Sequence, residues 1–131
     1  MVSDPVADMI VRIKNGVRTR RAFVEIPVSK LRVHLAEILE REQFIEKFMA
    51  VDDGRFGVLR VFLRYGPGKQ PVIQQIRRIS RPGRRVYLGH AEIPRVRRGY
   101  GIGIFSTSRG LVTDDDARRQ KIGGEYLCEV W

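Results

Sequence analysis

Val6, Met9, Ile10, Ile13 and Val17 recur at three- and four-residue intervals, which places them on one stripe of a helix. Ser3 and Asp4 are candidate caps, and Pro5 suits the first helical position, where its missing N–H costs nothing. Gly16 is expected to loosen the end of this helix, and Arg12, Lys14 and Arg18 occupy its polar face. Ala22 to Val28 reads as a strand, and Ser29 caps a second helix whose apolar face is Leu31, Leu35, Ile38 and Leu39. Phe44–Val51 and Phe56–Tyr65 read as strands joined through Asp52, Asp53 and Gly54, a hairpin signal. In the second strand Leu59, Val61, Leu63 and Tyr65 alternate with Arg60 and Arg64.

Gly66-Pro67-Gly68-Lys69-Gln70-Pro71 is the clearest break in the pattern. It divides the chain into an N-terminal lobe, 1–66, with the order α-β-α-β-β, and a C-terminal lobe, 67–131, that is mostly strand. The fold class expected is α+β. Val72–Ser80 is a strand candidate, followed by Arg81-Pro82-Gly83-Arg84 as a type II turn and a short strand from Arg85 to Leu88. Residues 90–99 are irregular. Ile102–Ser106 and Leu111–Thr113 flank the turn Thr107-Ser108-Arg109-Gly110. Asp114–Gln120 is a short helix with acids in its first turn, where the helix dipole favours them. Glu125–Trp131 is a last strand, with Tyr126, Cys128 and Val130 expected on one face.

The chain of 131 residues is 43% hydrophobic and 31% charged, so it can fill a core. Its net charge is +10 and its pI about 10.6. The excess is uneven. The N-terminal lobe holds twelve basic and nine acidic residues, the C-terminal lobe thirteen and six. Between Lys69 and Arg109 ten basic residues face one acid, Glu92. A merely solubilising surface intersperses the two signs, so this concentration points to nucleic acid. An anionic membrane is the second reading, but it calls for a basic amphipathic helix, and the basic run is broken into strands and turns. No apolar run approaches the roughly 20 residues that span a bilayer. The N-terminus lacks the pattern of a signal peptide. One cysteine excludes an intrachain disulfide and fits a cytosolic chain.

Catalytic chemistry finds no constellation. Gly99, Gly101 and Gly103 are followed by a strand rather than a helix N-terminus, so close backbone approach explains them better than a phosphate loop. Asp114, Asp115 and Asp116 point in different directions on a helix and fit its dipole better than a metal. His34 and His90 have no ligand pattern beside them, and Cys128 reads as an inert core residue. Ser106-Thr107-Ser108-Arg109-Gly110 is more informative. Its hydroxyls could read 2′-OH groups and base edges in the wide minor groove of RNA. An ordinary Ser/Thr turn bonding its own backbone is an equal alternative from composition. A turn-tip hydroxyl is not expected to support the core. Tyr87, beside Arg84 and Arg85, could stack on a base, although spacing alone favours a core tyrosine.

The run Gly101–Gly110, then Thr113-Asp114, Ala117-Arg118-Arg119 and Gly123-Gly124-Glu125 through Val130-Trp131, closely resembles the C-terminal signature of bacterial small-subunit ribosomal protein eight. Asp4–Met9, Arg12–Gly16, Ile26-Pro27, Ser29-Lys30-Leu31, Arg78-Ile79-Ser80, Pro82-Gly83 and Arg85-Val86-Tyr87 match the same family in collinear order. The resemblance implies a two-lobe α+β protein that binds a helical hairpin in the central domain of small-subunit ribosomal RNA and helps organise that domain during assembly. It assigns minor-groove contacts to Ser106, Thr107 and Ser108, a basic contact to Arg109 and an aromatic one to Tyr87. Glu125, beside Gly124, would order the binding turn. First-helix residues Arg12, Lys14 and Asn15 would approach RNA, with Lys30 a further candidate; Arg84 and Arg85 join the basic surface. Arg97, Arg98 and Gly103 depart from the family's usual residues.

The function expected is therefore that of a structural, RNA-binding constituent of the small ribosomal subunit, cytoplasmic and within the ribosome, with neighbouring ribosomal proteins as further partners. No catalysis, cofactor, metal, membrane or small-molecule substrate is expected. A free-standing regulator that recognises an mRNA fold imitating the ribosomal site would use the same surface.

Overall fold

The computed structural model describes residues 4–52, 54 and 57–131. It is an α+β protein built from two compact units, Pro5–Gln74 and Gln75–Trp131 together with Asp4. Ser3, Asp53 and Phe56, named above as a cap, a turn residue and a strand start, lie outside the described residues.

In the first unit, α1 (Pro5–Arg18) and α2 (Lys30–Arg41) accompany a three-stranded antiparallel sheet, β1 (Phe23–Pro27), β2 (Ile45–Val51) and β3 (Val58–Leu63), in the order β1-β3-β2. The periodic apolar residues form its core: Met9, Ile13, Leu39, Leu59 and Val61 are buried. The Ser29 hydroxyl accepts from the Arg32 amide and caps α2. Gly16 does not loosen α1. It is helical and buried, and a Cβ there would lie 2.4 Å from Val24 Cγ1, so its lack of a side chain lets the helix press on β1. Residues 66–71 form a turn in which Gly66 N–H donates to Gln70 O and Tyr65 bridges Pro71.

The second unit is an antiparallel sheet organised around β8 (Gly124–Val130). On one side β8 pairs with β6 (Ile102–Thr107), which pairs in turn with β7 (Gly110–Thr113). On the other side β8 pairs first with β4 (Ile76–Arg78) and then with β5 (Tyr87–Leu88). The α3 helix (Asp114–Gln120) follows β7 and is capped by Thr113, whose hydroxyl accepts from the Asp116 amide at 3.2 Å. Buried Asp114 accepts from Gly103 N–H at 3.0 Å and from Arg118 at 2.7 Å. The acids of this first turn therefore serve the helix and its neighbours. Among the described residues no His, Cys, Asp and Glu group of three or more could hold a metal, and no helix is long and apolar enough to cross a membrane.

Two further expectations need correction. Tyr126 and Cys128 do not share a face. Cys128 pairs with Ile104, but Tyr126 pairs with the adjacent Phe105, so Leu127 is an extra residue in β8. That bulge reverses the alternation. It sends Tyr126 to the cluster of Ile93, Phe105, Val112 and Ala117, where its ring stacks on Phe105 at 4.5 Å, and brings Tyr126 Oη to Glu129 Oε2 at 2.7 Å. The Arg81–Arg84 turn exists, closed by Arg84 N–H to Arg81 O and Arg81 N–H to Arg84 O. It is not type II, because Gly83 stays out of the positive-φ region that type requires.

Candidate nucleic-acid interface

The site is built where β5, β8 and β6 lie side by side. Glu125 of β8 stands opposite Tyr87 on one side and opposite Ser106 on the other. Directly paired residues share a face, so the register alone sets Tyr87, Glu125 and Ser106 in one row. The Tyr87 side chain is 67% exposed. The core position that its spacing favoured is therefore wrong, because β5 is a two-residue edge segment and its outward face meets solvent.

The turn beyond β6 is a tight two-residue loop, Ser108-Arg109, with Thr107 paired to Gly110. Gly110 has φ 93°, which suits glycine. Thr107 Oγ1 donates to Gly110 O at 2.8 Å and accepts from Arg109 N–H at 3.1 Å. Of the two readings of the hydroxyl run, Thr107 follows the turn-bonding one. Ser108 is exposed, and no hydrogen bond of its hydroxyl is found among the described residues. Arg109 is exposed and reaches Gln120 at 3.4 Å. Beneath the turn, a Cβ on Gly124 would lie 2.3 Å from Ser106 O and 2.9 Å from Thr107 Cγ2. Glycine at 124 therefore lets β8 seat the base of the turn.

Glu125 is tied to the other side of the row. Its Oε2 accepts from the Ser80 hydroxyl at 2.6 Å and from Arg85 at 3.0 Å, and the Ser80 oxygen accepts from Val86 N–H at 3.1 Å. The chain runs along β8 as far as Ser80, whose amide bonds Tyr126 O, leaves the sheet through Arg81–Arg85, and returns when Val86 O accepts from Tyr126 N–H. The Glu125 carboxylate thus fastens the base of this basic excursion, while the 106–108 turn is held by Thr107 and by packing on Gly124. Arg81, Arg84 and Arg85 are exposed. Arg84 has no acidic partner among the described residues.

In the sequence Ser80 is a strand end and part of the family match, with no role of its own. Its signal was a lone hydroxyl just before the Arg-Pro-Gly-Arg turn; its value rests on burial, which periodicity does not report.

The first-unit candidates behave differently. Arg12 pairs with Asp8 at 3.1 Å and donates to Glu25 O at 3.1 Å. Asn15 accepts from Arg18 at 3.2 Å, and both line a shallow cleft with Arg12, Arg21 and Glu25. Lys14 and Lys30 are exposed on α1 and at the start of α2.

A protein-family profile described as Ribosomal protein S8 matches residues 4–131. Proteins named small ribosomal subunit protein uS8 are similar over nearly the full length. The one from Caldicellulosiruptor bescii is 50% identical over 99% of this chain and 98% of its own. The one from Geobacter sulfurreducens is 50% identical with the same coverage. The one from Thermus thermophilus is 49% identical over 100% of both. With the profile spanning nearly every residue and half of the positions identical, the chain belongs to the ribosomal protein S8 family.

Proposed function

We infer that the protein is a structural, non-catalytic constituent of the small ribosomal subunit that binds a helical hairpin in the central domain of small-subunit ribosomal RNA. It helps organise that domain during assembly, beside neighbouring ribosomal proteins in the cytoplasmic ribosome. The observation that carries this reading is the row Tyr87–Glu125–Ser106 at one end of the C-terminal sheet, flanked by two basic tips. One tip carries the Ser108 hydroxyl and Arg109, the other Arg81, Arg84 and Arg85. Small hydroxyls suit the shallow RNA minor groove, an exposed ring can stack on an unpaired base, and guanidiniums neutralise phosphates. The 67–131 lobe supplies the main surface, with Arg12, Lys14, Asn15 and Lys30 as further contacts. An mRNA fold that reproduces the hairpin would meet the same groups.

The test is a pair of variants measured against the cognate hairpin and an unrelated duplex of equal length. Ser108→Ala should weaken the hairpin by about 1–3 kcal/mol and leave the duplex nearly unchanged. Arg84→Ala should weaken both alike and flatten the salt dependence by about one phosphate. If Ser108→Ala binds the hairpin like wild type, the turn is not the reading element.

A further inference from the structure

A second basic surface stands at the opposite end of the β6–β8 pair. Ile102, which opens β6, faces Val130 at the end of β8, whereas Ser106 faces Glu125. At about 3.3 Å per residue these ends are roughly 13 Å apart. Just before β6 the chain makes a tight turn from Val96 to Gly99. Buried Val96 anchors it, and Tyr100 N–H to Arg97 O and Gly101 N–H to Val96 O close it, both at 3.1 Å. A Cβ on Gly101 would lie 2.5 Å from Val130 O, so the turn is pressed directly on the end of β8.

Arg97 (φ 48°, ψ 47°) and Arg98 (φ 55°, ψ 30°) are both left-handed, a conformation that any residue with a Cβ adopts at a cost. From Pro94 to Gly101 there are three arginines and no acid. Arg95, Arg97 and Arg98 are exposed, and none has an ion pair among the described residues. Arg97 lies 4.2 Å from the Trp131 ring centroid, and Arg77 approaches the same ring at 5.8 Å. Glu129 pairs with Arg77 alone of the two, so Arg97 has the ring but no carboxylate partner among the described residues. Tyr100 beside them is 88% exposed. Uncompensated guanidiniums next to a bare ring fit a polyanion that carries bases.

We propose that Arg95, Arg97, Arg98 and Tyr100 form a second RNA-contact surface, which holds the phosphodiester backbone of RNA outside the hairpin engaged by the Ser106–Ser108 end. The proposal rests on the RNA-binding reading above. Its chemistry is neutralisation and stacking, so it adds affinity and placement rather than sequence selection.

The test uses the full-length protein and two RNAs: the hairpin alone, and a central-domain fragment of small-subunit ribosomal RNA that contains the hairpin with its flanking helices. The first variant combines Arg97→Gly and Arg98→Gly, since glycine enters the left-handed region freely and the turn keeps its shape. The second is Arg95→Gln, at a residue of ordinary backbone. For the double variant, affinity for the hairpin should stay within about twofold of wild type. Affinity for the longer fragment should fall about tenfold or more, with a salt slope shallower by about two phosphates. Arg95→Gln should show the same selectivity at smaller size. Unchanged binding of the longer fragment overturns the proposal and leaves the hairpin reading intact, as does an equal loss on both RNAs. So does loss of neighbouring ribosomal proteins from a reconstituted particle with RNA affinity preserved, which would make the surface a protein contact. If wild type binds neither RNA, the hairpin reading falls and takes this one with it.

Discussion

Ser80, fully buried, donates a 2.6 Å hydrogen bond to Glu125 Oε2. The same hydroxyl accepts from the Val86 amide, so one oxygen joins the two ends of the Arg81–Arg85 excursion to the central strand. Deleting it leaves the part-buried Val86 amide without this partner and the Glu125 oxygen with Arg85 alone of the two. Ser80→Ala should cost about 1–3 kcal/mol of stability, read by denaturant unfolding. Amide exchange at Val86 and Tyr87 should accelerate more than at Ile104 in the sheet centre. Protection that falls uniformly across the sheet would mean that Ser80 does not hold this loop in particular.

The two hydroxyls of the β6–β7 turn should separate. Thr107 Oγ1 makes two bonds inside the turn, so Thr107→Ala should lower stability by about 0.5–1.5 kcal/mol. Ser108 is exposed at the tip, and Ser108→Ala should unfold like wild type within about 0.5 kcal/mol. Urea midpoints of the two variants decide this, and equal midpoints would show that the Thr107 bonds contribute nothing net.

Three adjacent aspartates carry unequal weight. Asp114 is buried and accepts from Gly103 N–H and Arg118, whereas Asp115 is exposed and pairs with Arg118 alone of the described cations. Asp114→Ala should cost about 1–3 kcal/mol, since it strands the buried Gly103 amide, while Arg118 keeps Asp115 and the Pro94 carbonyl. Asp115→Ala should cost under about 1 kcal/mol. Thermal unfolding of the two variants side by side gives the comparison, and similar losses would contradict the burial argument.

Alkaline pH should destabilise the protein through its buried acids. Burial pushes the Cys128 thiol up to about 12, with nearby Arg78 opposing and Glu129 reinforcing the shift. Burial, then the bond to Glu129, also raises the Tyr126 hydroxyl. Each folded-state pKa exceeds the unfolded one, so the stabilisation is complete below the unfolded value, about 9 for the thiol, and is lost as pH rises through the folded value. Between pH 9 and 12 the thiol should remove up to about 1.4 kcal/mol per pH unit. Cys128→Ala should flatten that part of the stability profile, and native Cys128 should react with a thiol reagent only on opening. Rapid labelling of the native protein at neutral pH would contradict the burial.

Much of this molecule could be read from local pattern. The stripe from Val6 to Val17, the Ser29 cap, the Leu59–Val61–Leu63 alternation and the acids opening α3 are short-range features, and helices and strands declare them at fixed spacings. The basic stretch from Lys69 to Arg109 and the collinear match to the S8 family are likewise properties of residue order alone. Tertiary structure decided what spacing does not encode. The Leu127 bulge turned Tyr126 away from Cys128 because register depends on both strands, and a one-residue slip exchanges faces. Gly16 became a contact with Val24 rather than a weak helix end. Tyr87 was exposed by its place on a two-residue edge segment, and Ser80 gained its role only when β4, β5 and β8 closed around it. Burial and pairing are joint properties of segments distant along the chain, and they exist only once the sheet has formed.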